Sequence, residues 1–177
     1  MTRRDVRSQF TLEPIAKEVL ERILLAAHHA PNVGFSQPWD FIVINDLAIW
    51  NEIKKIFVVE NDRASMNYEG ERCEKDRSRT GPDVLGRNTL IEADLFSTCF
   101  AVQNLWLAAK SEGIGVGWVS IVAYENLKDL LKLPDSVVPV VYLCVGYVSD
   151  FLPEPELETA GWQKRTPLRQ HIHRNQW

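Results

Sequence analysis

The spacing of apolar and polar residues divides this chain into helices and strands before any chemistry is considered. Over residues 14–30, Ile15, Val19, Ile23, Leu24 and Ala27 recur at helical spacing, with Pro14 suited to a first turn and Pro31 as a stop. The next seven residues, Asn32-Val-Gly-Phe-Ser-Gln-Pro, carry the composition of a loop. Trp39-Asp-Phe-Ile-Val-Ile then reads as a strand, and Asn45-Asp46 both ends it and offers a cap for a helix over residues 47–57. Residues 60–87 are polar, charged and aperiodic, which predicts loop, lid or disorder.

A long helix is expected over residues 91–112. Ala93, Phe96, Cys99, Phe100, Val102, Gln103, Trp106 and Leu107 leave it so little polar surface that it should be deeply buried, in part against a second subunit. Gly113 suits the position just past its end. A strand opens at Gly115-Val-Gly-Trp-Val-Ser-Ile, a short helix covers residues 125–131, and residues 137–148 read as a strand apolar on both faces, with Pro139 near its start. The tail from Phe151 has no core of its own and should wrap another surface. Helices alternating with strands indicate a single mixed-layer α+β domain spanning residues 1–177.

Composition narrows the function classes. Forty-five per cent apolar and 25% charged residues describe an ordinary globular chain. Its net charge of −4 argues against a nucleic-acid partner, which needs clustered basic side chains. No apolar run reaches the roughly 20 residues that span a bilayer, and the charged start lacks a signal-peptide core. Three scattered cysteines (Cys73, Cys99 and Cys144) suit a reducing compartment, so a cytoplasmic location is expected.

Candidate chemistry lies at the two ends of the chain. Arg3, Arg4 and Arg7 form a short run, with Lys164 and Arg165 far away in sequence; arginine forks bind phosphate in bidentate fashion, although a charge run is also the ordinary composition of a solvated terminus. No Gly-x-Gly-x-x-Gly or Gly-Lys-Ser/Thr loop is present, so a bound nucleotide would need side-chain arginines for its phosphate. His171 and His173 make a weak metal pair, and Ser120 has no His/Asp partner nearby in sequence; neither a metal site nor a hydrolase triad is expected.

Four segments carry a wider pattern. They are Arg3-Arg-Asp-Val-Arg-Ser-Gln-Phe; Ala30-Pro-Asn-Val-Gly-Phe-Ser-Gln-Pro-Trp-Asp-Phe; the stretch from Asp94 through Gln103-Asn-Leu-Trp to Gly115-Val-Gly-Trp-Val-Ser-Ile; and Pro155-Glu-Leu-Glu through Gly161-Trp-Gln-Lys-Arg-Thr-Pro-Leu. Together they resemble the nitroreductase superfamily of flavin mononucleotide (FMN) enzymes, and in detail a branch acting in cobalamin biosynthesis. The resemblance implies a mixed central sheet flanked by helices, and a homodimer with flavin at the interface. By that resemblance Arg3, Arg4, Arg7 and Arg165 would hold the FMN phosphate and ribityl chain. Asn32, Val33, Gly34 and Gln37 would meet the flavin ring, and Gly117, Trp118 and Ser120 would lie beneath it. Asp5 and Ser120 would be the catalytic side chains. The implied reaction breaks reduced FMN with O₂ into 5,6-dimethylbenzimidazole and erythrose 4-phosphate, a separate flavin reductase supplying the reduced FMN. Asp5 among arginines suits an acid/base role, and equally an ion pair that orients Arg4 or Arg7.

The pattern has one departure. Between Lys75 and Asp76 the family would carry more lid and an interior strand, and this chain runs straight on. Rival readings are an NAD(P)H-dependent nitroreductase, a cob(II)yrinic acid a,c-diamide reductase, and a flavin-binding protein without catalysis.

Overall fold

Two helices and a hairpin-like sheet make the larger core. The computed structural model describes residues 5–66, 92–119, 122–161 and 164–173. Helix α1 (Lys17–His28) packs on α3 (Ala93–Ser111), burying Ile23 and Ala27 against Ala101, Leu105 and Ala109. The alanines let the two backbones approach closely, and interdigitating side chains set the crossing. Asn104 Nδ2 donates to the Ala26 carbonyl at 3.3 Å, and the Arg22 fork closes on the Glu112 carboxylate at 2.7 and 2.8 Å. That contact raises the guanidinium pKa and lowers that of the carboxyl, in each case chiefly by the hydrogen bond.

Past α3 the chain reverses at Gly113, whose φ of +76° is the left-handed conformation expected after a helix end. It then enters strand β1 (Ile114–Val119), which pairs antiparallel with β2 (Tyr142–Tyr147), Ile114 opposite Tyr147 and Val119 opposite Tyr142. Ile114 and Val116 point into the core beneath α3.

A second, smaller core joins α2 (Leu47–Met66) to α4 (Tyr124–Leu131) around Ile53, Val122 and Leu127. The Asp46 side chain caps α2 as its position before the helix suggests, Oδ1 accepting from the Ala48 and Ile49 amides at 2.7 and 3.3 Å. The tail carries one short helix, α5 (Glu156–Thr159), and a 3₁₀ turn at Leu168–His171. No helix among the described residues is long and apolar enough to cross a membrane.

Four expectations change. First, residues 39–44 form no strand, because nothing among the described residues pairs with them. Second, α2 continues to Met66, so residues 60–66, expected as loop, are helical; their composition lacks apolar periodicity but contains no helix breaker. Third, α1 starts at Lys17, leaving Pro14 outside it, with Ile15 packed on the core ahead of the first turn. Fourth, strand β2 is shorter than its apolar run, starting three residues beyond Pro139, which has no N–H to give a ladder. Within one chain α3 is buried on one face, and Leu95, Phe96, Cys99, Phe100 and Gln103 stand exposed along the other, the side left for the expected second subunit. The junction of Lys75 and Asp76 lies outside the described residues.

Candidate functional site

The site is assembled by an N-terminal strap laid across β1. Residues 5–10 run along the strand, Asp5 bridging Val116 in parallel sense and Phe10 bridging Val148 antiparallel. The Val6 amide donates to the Val116 carbonyl at 3.0 Å, and Thr11 N–H donates to the Tyr147 carbonyl at 2.8 Å.

Three glycines make room for this strap. A Cβ on Gly115 would strike the Val6 and Val148 side chains, one on Gly117 would strike the Val6 carbonyl oxygen, and one on Gly146 would lie 3.1 Å from the Phe10 ring. The alternation of Gly115 and Gly117 is thus a sheet face on which another backbone rests.

The strap delivers Asp5 to the end of β1. Its Oδ1 accepts the Trp118 amide at 3.0 Å, and Oδ2 lies 3.5 Å from Arg7 Nη2. Both oxygens therefore have partners, one of them the backbone of a second expected site residue. The Arg7 guanidinium remains about half exposed, so donors stay available to an anion. Asp5 also acts on Cys144: burial pushes that thiol's pKa up, and the nearby carboxylate adds to it. A thiol so placed stays protonated and unreactive.

Beside Asp5 opens a cleft of about 450 Å³, lined by Cys99, Val102, Gln103 and Trp106 of α3, by Trp118, and by Val140 and Val141 ahead of β2. This falls in the range of roughly 300–1,000 Å³ typical of small-molecule sites, and its mostly apolar wall with a few polar groups is the usual lining. A wider depression of about 870 Å³ runs along α2, floored by Ile49, Val58 and Leu130; it shares no residue with the strap or with α3.

The loop after α1 meets α3 less than one turn before Cys99, the first cleft residue on that helix. Val33 N–H donates to Ser97 Oγ at 3.3 Å, and Thr98 Oγ1 donates to the Pro38 carbonyl at 3.3 Å. Asn32 braces the loop from inside, Oδ1 accepting from the Gln37 amide at 3.0 Å and Nδ2 donating to Ala30 at 3.1 Å. Gly34, Phe35 and Gln37 all have positive φ, 56°, 56° and 46°. For Phe35 and Gln37 this is a strained backbone held by its surroundings, a condition concentrated at ligand-binding segments.

Of the expected site residues, Asp5, Arg7, Gly117 and Trp118 come together at the strap, and Asn32, Val33, Gly34 and Gln37 share one braced loop against the same helix. Arg165 does not join them within this chain. Its amide donates to Glu158 at 3.5 Å, and no hydrogen bond or ion pair of the described residues ties it to the strap or the loop. Arg3, Arg4 and Ser120 lie outside the described residues. Cys99, Gln103, Trp106, Val140 and Val141 were not expected in the site; only the three-dimensional approach of α3 to the strap brings them there.

A glycine-backed strap carrying an acid and an arginine, a strained loop and an amphipathic cleft define a small-molecule site on an α+β scaffold. The chain belongs to the nitroreductase family, whose model matches residues 1–147. It is 35% identical to a 5,6-dimethylbenzimidazole synthase of Rhodospirillum rubrum, over 93% of this chain and 87% of the relative. A synthase of the same description from Rhodobacter capsulatus is 31% identical, over 93% and 89%. Among solved structures, iodotyrosine deiodinase bound to FMN and 3-iodo-L-tyrosine superposes with a TM-score of 0.73 at 19% identity, covering 99% of this chain and 96% of the other. The alignment to the Rhodospirillum relative runs over 187 positions, yet takes in 93% of a 177-residue chain, so about twenty positions of the relative have no counterpart here.

Proposed function

We propose that this chain is a cytoplasmic enzyme of the dimethylbenzimidazole-forming branch of the nitroreductase family, fragmenting reduced FMN in the presence of O₂. The observation carrying the reading is the seating of Asp5, held between the Trp118 amide and Arg7 at the mouth of the cleft, in a chain 35% identical to a synthase of that description.

The residues present fit the ligand. Arg7, with Arg3 and Arg4 close in sequence, offers charged donors to a phosphate, and Trp106, Trp118, Val102, Val140 and Val141 offer the apolar walls that a flat heteroaromatic ring needs. Asn32, Val33, Gly34 and Gln37 would meet the ring from their braced loop, and Arg165 would reach a phosphate only across a subunit boundary. Bound flavin supplies the electrons that O₂ takes up. Around it the chain's own groups bind, orient and exclude water: Arg7 anchors the anionic end, the loop fixes the ring, and Asp5 is placed to accept or return a proton. Ser120, next after β1, would donate a neutral hydrogen bond to the same ligand.

The exposed apolar stripe of α3, with Leu95, Phe96 and Phe100, is the face that a second copy would cover, and a monomer that binds FMN stoichiometrically would remove this part of the proposal. A separate flavin reductase is the expected source of reduced FMN.

Asp5→Asn tests the chemistry. The amide keeps an oxygen for the Trp118 N–H but holds no exchangeable carboxyl proton, so FMN binding should persist. Formation of dimethylbenzimidazole from reduced FMN in air should fall about 10²–10⁴-fold, read by product chromatography. Full yield from the variant would reduce Asp5 to an orienting ion pair. FMN recovered intact from the unaltered protein would favour an NAD(P)H-dependent reductase.

A further inference from the structure

Helix α3 carries two hydroxyls that its own fold does not require. Ser97 is 3% exposed and is the one buried polar side chain among the described residues. Its Oγ donates to the Ala93 carbonyl at 2.7 Å, within the helix, which leaves the oxygen to accept the Val33 amide at 3.3 Å. Alanine is the better helix former and fills the buried position one turn on, at Ala101, so what the hydroxyl adds here is its bond to the loop. Thr98 makes the matching contact at the loop's other end. Its proton is shared between the Asp94 carbonyl at 2.9 Å and the Pro38 carbonyl at 3.3 Å. Adjacent residues of one helix thus hold both ends of residues 33–38, within which Gly34, Phe35 and Gln37 keep positive φ.

We infer that Ser97 and Thr98 are positioning residues, fixing the ring-facing loop to the helix that forms the cleft wall from Cys99 onward. Because the flavin reading supplies the ligand, the inference rests on it. Neither hydroxyl need touch that ligand; both act through the loop backbone. An amide held at one end and a carbonyl at the other keep Phe35 and Gln37 in a left-handed conformation that is otherwise unfavourable for them. With one end released the backbone relaxes, and the loop must be reordered each time a ring binds, which costs affinity. The ring end of the ligand should register that cost, and the phosphate end, assigned to Arg7, should not.

Ser97→Ala in the full chain tests it, with amide exchange read without flavin and affinity read by titration with FMN and with riboflavin. The Ser36 and Gln37 amides should exchange about three- to tenfold faster, the effect of losing one hydrogen bond, while those of residues 101–109 stay as in the unaltered chain. The affinities for FMN and for riboflavin should fall together by a similar factor. Thr98→Val should do the same more weakly, and Thr98→Ser should restore the unaltered behaviour. Ser111→Ala, which removes a hydroxyl donating to the Ala108 carbonyl at the exposed end of α3, controls for the loss of a helix hydroxyl. Unchanged loop exchange would overturn the inference, and so would faster exchange throughout α3, which would make Ser97 a core residue only. A fall in affinity for FMN alone would also overturn it, by placing the effect at the phosphate. Faster loop exchange with both affinities unchanged would sever the loop from the ligand, overturning the inference while leaving the flavin reading intact. If the unaltered protein binds neither flavin, that reading fails and the inference falls with it.

Discussion

Two six-residue segments with the same local preference have opposite fates. Tyr142-Leu-Cys-Val-Gly-Tyr is strand β2, paired residue for residue with β1; Trp39-Asp-Phe-Ile-Val-Ile forms no strand and pairs with none of the described residues. Both are rich in β-branched and aromatic residues, so propensity does not separate them. What separates them is a neighbour. β1 follows α3 directly and is held in the larger core by Ile114 and Val116, so β2 finds a fixed edge to pair with, whereas no such edge reaches residues 40–44 among the described residues. Strand formation is a property of the pair, since an unpartnered strand leaves its backbone groups to water.

The contrast predicts where the protein is fragile. Leu105→Ala removes a buried side chain from between α1 and β1 and should cost about 2–5 kcal/mol of stability, read by urea denaturation. A loss under 1 kcal/mol would mean that the larger core is not what holds the paired region. Gly117→Ala should cost less, about 1–3 kcal/mol, by pressing a methyl group onto the Val6 carbonyl. It should also lift the strap and weaken FMN binding together with stability, whereas unchanged FMN affinity would separate the strap from the site.

A smaller effect concerns pH. Burial, with a minor contribution from Cys144, raises the Tyr142 phenol to about 12. Its unfolded value is near 10. The folded form thus keeps a proton that the unfolded chain releases, so this contribution is complete below pH 10 and is lost as the pH rises from about 10 to about 12. Tyr142 is partly open to solvent, so the expected loss is on the order of 1 kcal/mol. Tyr142→Phe should flatten the alkaline limb of a stability–pH curve, and an unchanged limb would show that the phenol is not its source. Smallest of all, Ile42→Ser in dilute solution should change stability by less than about 0.5 kcal/mol. A larger loss would mean that the unpaired segment is covered after all.

Much of the site was readable in advance because its chemistry is local. Asp5 and Arg7 lie two residues apart and Gly117 and Trp118 are neighbours, so one contact between strap and strand assembles four expected residues. The alternating Gly115 and Gly117 carry a signal of their own, a face of β1 on which another backbone lies. The cleft wall was not legible. Cys99, Gln103 and Trp106 lie on a helix whose apolar residues go all round it, and no periodicity tells which side turns toward Asp5. Residues 60–66 were misjudged for the converse reason, because charged residues without an apolar stripe still make a good helix.

By itself, then, the sequence determined local geometry and chemical inventory: the caps and breaks at Asp46 and Gly113, the apolar runs of the two strands, the acid and arginines near the N-terminus, and the family they resemble. These depend on interactions within a few residues, which any unfolded segment already contains. Tertiary structure decided which strand-prone segment became a strand, which face of α3 was buried and which was left bare, and that the strap would place Asp5 against the Trp118 amide. Each of those outcomes requires residues from about 20 to more than 100 positions apart to meet, and a hydrogen bond or buried face has no energy until its partner arrives.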